Sequence, residues 1–145
     1  MSLRRWRVAL LVWMGVIFLL SSSLLAPHTS AEGTEELFGS LNYVMRKCAH
    51  VAEYAVLAYL WFRSIRPRAG GIRSRLGWSV LLSVLYAATD ELHQALIPER
   101  LGTWSDVVFD TAGALGGALA LWAVWRRGRP EFRDRVLGSP TESAS

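Results

Sequence analysis

The stretch Asp106–Trp125 reads DVVFDTAGALGGALALWAVW, and the two aspartates near its start are the only charged residues among its 20. A helix of about 20 mostly apolar residues is long enough to cross the ~30 Å hydrocarbon core of a bilayer. Three further apolar blocks precede it along the chain, at about 6–25, 46–63 and 76–97. The sequence therefore predicts an all-α membrane protein, folded as a compact bundle of four transmembrane helices with the fourth at 106–125.

The composition of the whole chain agrees with this prediction. Of its 145 residues, 52% are hydrophobic and 19% are charged, which excludes disordered and collagen-like chains. The net charge of +4 and the pI near 9.8 resemble those of nucleic-acid-binding proteins. Here, however, the basic residues cluster beside apolar blocks and do not follow one polar face, so we expect no nucleic-acid partner.

Positive charge is distributed unevenly between the connections. Arginines precede the first block, fill the connection between the second and third blocks, and follow the fourth block. Because cytoplasmic loops are enriched in Lys and Arg, both chain termini are predicted to lie inside. We expect residues 1–130 to form the transmembrane domain and residues 131–145 to form a flexible cytoplasmic tail. A cleaved signal peptide is the alternative interpretation of the first block.

Ionisable residues occur inside three of the four blocks, always near the ends predicted to face outward. A charged side chain near the bilayer centre costs ~2.5–3.5 kcal/mol on insertion scales, so such residues commonly mark functional sites. Spacings of three and four residues place them on shared helix faces. We therefore expect a polar cavity near the outer leaflet. Its candidate residues are Lys47, His50, Glu53 and Tyr54 in the second block, Asp90, Glu91, His93 and Gln94 in the third, and Asp106 and Asp110 in the fourth.

These residue types suit acid–base chemistry on an anionic substrate. A histidine beside a carboxylate can act as a general base, and the carboxylate can orient it or return the proton. Lysine and arginine can hold an anionic lipid headgroup or a pyrophosphate. The expected catalytic residues are His50, Asp90, Glu91 and His93, and the expected substrate-binding residues are Lys47, Tyr54, Gln94, Arg100, Asp106 and Asp110.

Two pairs of residues also suggest a divalent metal. His50 with Glu53, and Asp90 with His93, each place an imidazole and a carboxylate on adjacent turns of separate helices. Lys47 on the same face as His50 would repel a cation, which weakens this hypothesis. The need for a metal or another cofactor therefore stays open.

Two motifs resemble the VanZ-like family of small bacterial membrane proteins, whose founding members are tied to resistance to the glycopeptide teicoplanin. They are RKCAHVAEYAVLAYL at Arg46–Leu60 and TDELHQALIPERLGTWSDVVFDTAGALGG at Thr89–Gly117. The resemblance covers about 41–124 and implies a four-helix, multi-pass protein of the bacterial cytoplasmic membrane. It implies a shared polar set, namely Lys47, His50, Asp90, Glu91, His93, Gln94, Arg100 and Asp106. Asp110 stands where the family pattern often has asparagine.

The resemblance leaves the reaction open, so two functions stay as hypotheses. The first is acid–base chemistry at the outer leaflet on an envelope lipid or a lipid-linked cell-wall precursor, with glycopeptide resistance as a consequence. The second is non-enzymatic binding of a glycopeptide, an anionic lipid headgroup or a partner membrane protein. Catalysis requires the proton-transfer groups themselves, whereas binding tolerates isosteric replacements. Membrane lipids are the expected surroundings in both cases, and the oligomeric state is left open.

Overall fold

The computed structural model describes residues 2–21, 35–66, 71–96 and 104–137, and within these ranges it contains five α-helices and no strand. The all-α prediction is confirmed for this part of the chain, and each apolar block lies largely within one helix. Residues 22–25 and 97 of the expected helices lie outside the described residues. The helices are α1 (Leu3–Ser21), α2 (Glu35–Ser64), α3 (Gly71–Ala95), α4 (Trp104–Arg127) and α5 (Pro130–Leu137).

Two helices begin earlier than the apolar blocks indicate. α2 already begins at Glu35, and α3 begins at Gly71. The sequence at 35–45, EELFGSLNYVM, mixes Glu, Ser and Asn with apolar residues. Such a mixture is compatible with a helix but does not raise the hydropathy, so hydropathy alone underestimates the length of α2.

A fifth helix occupies the first residues of the segment that we expect to be a flexible tail. Pro130 stands at its first position, where the missing backbone N–H is not needed, and Glu131 follows in the first turn. At its other end Leu137 is buried in an apolar cluster with Phe62 and Leu121. The expected tail therefore begins with a helix that is docked on the bundle, and residues 138–145 lie outside the described residues.

Replacing Arg63 by leucine is expected to release α5 while leaving the bundle folded. The Arg63 guanidinium is buried, and its Nη1 donates to the backbone oxygens of Arg135 (3.2 Å) and Val136 (2.8 Å). Hydrogen bonds from a charged group contribute about 1.5–3 kcal/mol, so amide exchange in α5 should accelerate about tenfold or more. Arg66→Leu, which changes an exposed arginine nearby, is the control. Unchanged exchange in the Arg63 variant would contradict this role.

α2 lies at the centre of the fold and contacts all three other long helices, most extensively α4. Two glycines of α4 permit this contact. A Cβ atom at Gly113 would lie 2.9 Å from the Cα of Val51, and one at Gly117 would lie 2.8 Å from the carbonyl oxygen of Ala55. Contacts this close are open only to glycine. The backbones of α2 and α4 therefore meet at Gly113 and Gly117.

Within the described residues, only α4 contains a stretch, Ser105–Arg127, that is long and apolar enough to cross a membrane. α1 begins with three arginines, and α2 and α3 carry the ionisable residues noted above, which lower their mean hydropathy. One apolar helix does not establish a multi-pass topology. The four-span arrangement with both termini inside therefore stays a prediction.

The two ends of the bundle differ in charge. At the end that we call the basic end, Arg63 packs on the ring of Trp6, and Arg75 donates to the backbone oxygen of Phe62 over 2.7 Å. At the opposite end, which we call the polar end, the middle of α2 around Lys47 and His50 meets the first turns of α4, and the last turn of α1 meets α3 at Asp90. The polar residues singled out in the sequence gather at this second end.

Candidate functional site

Two side-chain pairs join α2 to α4 at the polar end. The ammonium group of Lys47 pairs with the carboxylate of Asp106, and the Nδ1 atom of His50 lies 3.1 Å from Oδ1 of Asp110. The two helices run in the same direction, so residues three apart on α2 meet residues four apart on α4. Both pairs lie next to the contact at Gly113 and Gly117, on the side toward the start of α4. Asp106 and Asp110 lie on the same face of α4 as these glycines.

The His50–Asp110 pair is unequally exposed. The side chain of His50 is 25% exposed, whereas that of Asp110 is 5% exposed. Because Nδ1 faces the carboxylate of Asp110, Nε2 is the ring nitrogen that this pair does not use. A carboxylate that holds and orients a more accessible imidazole is the usual support of a general base.

Asp90 joins α3 to α1 at the same level of the bundle. Its Oδ2 atom accepts hydrogen bonds from Ser21 Oγ (2.7 Å) and Gln94 Nε2 (2.9 Å), and the residue is 5% exposed. Two further hydrogen bonds attach α1 nearby, from Trp13 to the backbone oxygen of Glu53 and from Tyr86 to that of Met14. α1 therefore forms one wall of the polar end.

Two buried polar atoms between these pairs have no hydrogen-bond partner within the described ranges. They are the hydroxyl group of Tyr54, whose residue is fully buried, and the Oδ1 atom of Asp90. Tyr54 lies close enough to Asp90, Asp110 and Glu53 to interact with them electrostatically. A buried polar group without a partner costs about 1–3 kcal/mol, so a hydrogen bond to each atom from water or from a bound polar group would be favourable. We call His50, Glu53, Tyr54, Asp90 and Asp110 the polar cluster.

The four residues expected to be catalytic do not all lie together in the structure. His50 faces Asp110, which we expected to bind substrate, and not Asp90 or Glu91. His93 instead packs its ring on Phe18 of α1, with 4.7 Å between the ring centroids. Their catalytic and binding roles stay predictions.

The remaining predicted site residues have these positions. Glu91 and Gln94 are both buried on α3. Lys47 in the middle of α2 and Asp106 in the first turn of α4 are partly exposed. The ring of Phe109 lies 5.0 Å from the Lys47 ammonium group. Arg100 lies outside the described residues, so the expected clamp of Lys47 and Arg100 stays a prediction.

The metal hypothesis finds no matching geometry in the described parts of the chain. There, no three or more His, Cys, Asp or Glu side chains are arranged to hold a metal ion. His50 with Glu53 and Asp90 with His93 do not converge, because His93 lies against α1. The need for a metal therefore stays open.

Sequence reasoning missed the contribution of Ser21. The run Ser21–Ser23 lies near the end of the first apolar block, where small residues favour the alternative interpretation as a signal peptide. The structure shows that Ser21 is buried and bonded to a carboxylate 69 residues away. The signal that could have identified Ser21 is a hydroxyl group at the end of an apolar helix, in a chain whose other helices carry carboxylates at the same level.

Comparison with known proteins places the chain in a family. The sequence profile of the family described as VanZ/LLP1 matches residues 6–126. No curated protein and no solved structure matches the chain significantly. The matched range includes every residue of the polar cluster and both glycines of the α2–α4 contact, and it ends before α5. The chain therefore belongs to the VanZ/LLP1 family.

Proposed function

We propose that this protein is an integral membrane protein that carries out acid–base chemistry on the headgroup of an envelope lipid or a lipid-linked cell-wall precursor. The observation that carries the proposal is the His50–Asp110 pair, in which a buried carboxylate supports a more accessible imidazole. The unpartnered hydroxyl of Tyr54 and the unpartnered oxygen of Asp90 lie in the same cluster. An accessible imidazole beside two polar atoms without partners is more typical of a site for a reacting ligand than of an ion pair with a purely structural role.

Placement in a membrane is supported by the outer surface of the bundle. Large apolar side chains are exposed on α1 and α4, among them Leu11 and Leu119, which are 67% and 66% exposed. Apolar surface on this scale marks contact with lipid or with another protein. Because arginines gather at the opposite end, the positive-inside rule assigns the polar cluster to the outer leaflet.

The proposed proton transfers follow from the positions of Asp110 and His50. Asp110 holds Nδ1 of His50, so Nε2 takes the proton from an attacking water or hydroxyl group. As the new bond to the headgroup forms and the bond to the leaving oxygen breaks, the imidazolium returns this proton to the leaving oxygen. Asp110 stabilises the imidazolium between the two transfers.

The charge balance indicates which part of a headgroup meets the cluster. Among the described residues the polar end carries more carboxylates than cations, and Lys47 already pairs with Asp106. Carboxylates accept hydrogen bonds, and hydroxyl groups donate them. The arrangement therefore favours a hydroxyl-rich headgroup, such as that of a sugar-bearing lipid. The carboxylates are those of Glu53, Asp90, Glu91, Asp106 and Asp110, and the basic side chains described at this end are those of Lys47, His50 and His93.

Isosteric variants distinguish catalysis from binding. In a strain that lacks the protein, we expect complementation with the His50→Gln variant to leave glycopeptide susceptibility as it is in the deletion strain. A general base contributes about 10²–10⁴-fold to a rate, so its loss abolishes the effect of the protein. His93→Gln is the comparison variant, because the proposal gives the base role to His50 and none to His93, whose ring packs against Phe18. Loss of function in His93→Gln alone would instead assign the base role to His93.

The variants must be compared at equal amounts in the membrane fraction. If His50→Gln supports wild-type susceptibility, proton transfer by His50 is excluded. Non-enzymatic binding of a glycopeptide, a headgroup or a partner protein then becomes the better account.

A further inference from the structure

A groove of about 660 Å³ runs between α3 and α4 on the outside of the bundle, away from the polar cluster. Its walls are apolar and include Leu81, Leu115 and Leu119, all of which are exposed. Gly77 also lines the groove, and a Cβ atom built there would have no heavy atom within 4 Å. The missing side chain of Gly77 therefore contributes to the space in the groove.

One end of the groove is cationic. Arg73 is the charged residue among those that line it, and its guanidinium lies 5.4 Å from the ring centroid of Trp122, which lines the same end. Both residues belong to the basic end of the bundle. Tryptophan and arginine together are typical of the level at which lipid headgroups meet the hydrocarbon core.

We propose that this groove binds one acyl chain of an anionic phospholipid, with the lipid phosphate at Arg73. An apolar channel with a single cation at one end complements a molecule with an apolar chain and an anionic head. The volume lies within the ~300–1,000 Å³ that is usual for small-molecule sites. Basic pockets between helices on the cytoplasmic side of membrane proteins bind anionic headgroups. This inference shares the membrane placement of the proposed function, but it does not depend on the reaction.

The test is lipid binding to the purified, full-length protein, measured by native mass spectrometry from detergent. Phosphatidylglycerol and phosphatidylcholine with identical acyl chains are the two probes. We expect the wild-type protein to retain phosphatidylglycerol about fivefold better, which corresponds to one arginine near an anionic headgroup. Arg73→Gln is expected to remove this preference, because both lipids then meet an uncharged end.

Filling the groove tests the acyl-chain half of the inference. Gly77→Leu is expected to reduce the retention of both lipids severalfold, because its side chain extends into the groove. Gly116→Leu is the matched control, because a Cβ atom there also meets open space but Gly116 does not line the groove. The control should bind both lipids as the wild-type protein does.

Three results would overturn the inference. They are equal retention of the two lipids by the wild-type protein, unchanged retention by Gly77→Leu, and conversion of a dimer into a monomer by Gly77→Leu. The last result would identify a second copy of the chain as the occupant. His50→Gln should retain phosphatidylglycerol normally, so failure of the proposed reaction and failure of this site are distinguishable.

Discussion

Gly113→Leu is expected to prevent the packing of α2 against α4 and so to abolish the folded bundle. Even the Cβ atom of this residue would lie 2.9 Å from the Cα of Val51 and still nearer the Val51 carbonyl oxygen. The neighbouring atoms belong to the backbone of α2, so no flexible side chain can move aside. Overpacking commonly costs ~1–3 kcal/mol, and here we expect at least the upper end of that range.

Gly116→Leu serves as the control for this prediction, because it lies three residues further along the same helix and faces open space. A glycine in a helix interior is about 0.8–1.0 kcal/mol less favourable than alanine, so the control should be as stable as the wild-type protein or slightly more stable. The measurement is thermal unfolding of both variants in the same detergent. A Gly113→Leu protein that unfolds at the wild-type temperature would show that the α2–α4 contact is not essential.

His50→Leu is expected to destabilise the protein more than the double substitution His50→Leu with Asp110→Leu. The single change leaves a buried carboxylate without its partner, which costs about 3 kcal/mol. The double change replaces both polar groups by apolar ones, and such replacements are often neutral. Unfolding in denaturant, measured for both singles and the double, isolates the interaction between the two residues.

The double variant also separates stability from function. We expect it to fold within about 1 kcal/mol of the wild-type protein and to be inactive, since it lacks the base and its orienting carboxylate. If the double variant is as unstable as His50→Leu, the unpaired carboxylate of Asp110 is not what destabilises the single variant. If the double variant is folded and active, the pair has no catalytic role.

The spacing of residues within a helix predicted much of the site. The spacing of Asp106, Asp110, Gly113 and Gly117 places them on one face of α4, and the backbone of α2 approaches at the two glycines. Spacing shows which residues share a face of one helix. It does not show which other helix contacts that face. The pairing of His50 with Asp110, and not with a carboxylate of α3, follows from the parallel packing of α2 on α4.

The features that the sequence did not predict depend on tertiary contacts. α5 is short and polar, and the bonds from Arg63 and the burial of Leu137 hold it on the bundle. Ser21 acquires its role only where α1 meets Asp90. Neither contact leaves a periodic signal in the local sequence, because each joins residues about 70 positions apart.

The central claim is that His50 performs proton transfer on an envelope lipid or a lipid-linked wall precursor. The most direct measurement is mass spectrometry of these molecules from the deletion strain complemented with wild-type protein, with His50→Gln, with His93→Gln or with no protein. We predict that one species accumulates equally in the uncomplemented and His50→Gln strains, and that the other two strains lack this accumulation. Identical lipid and precursor profiles in all four strains would contradict the claim.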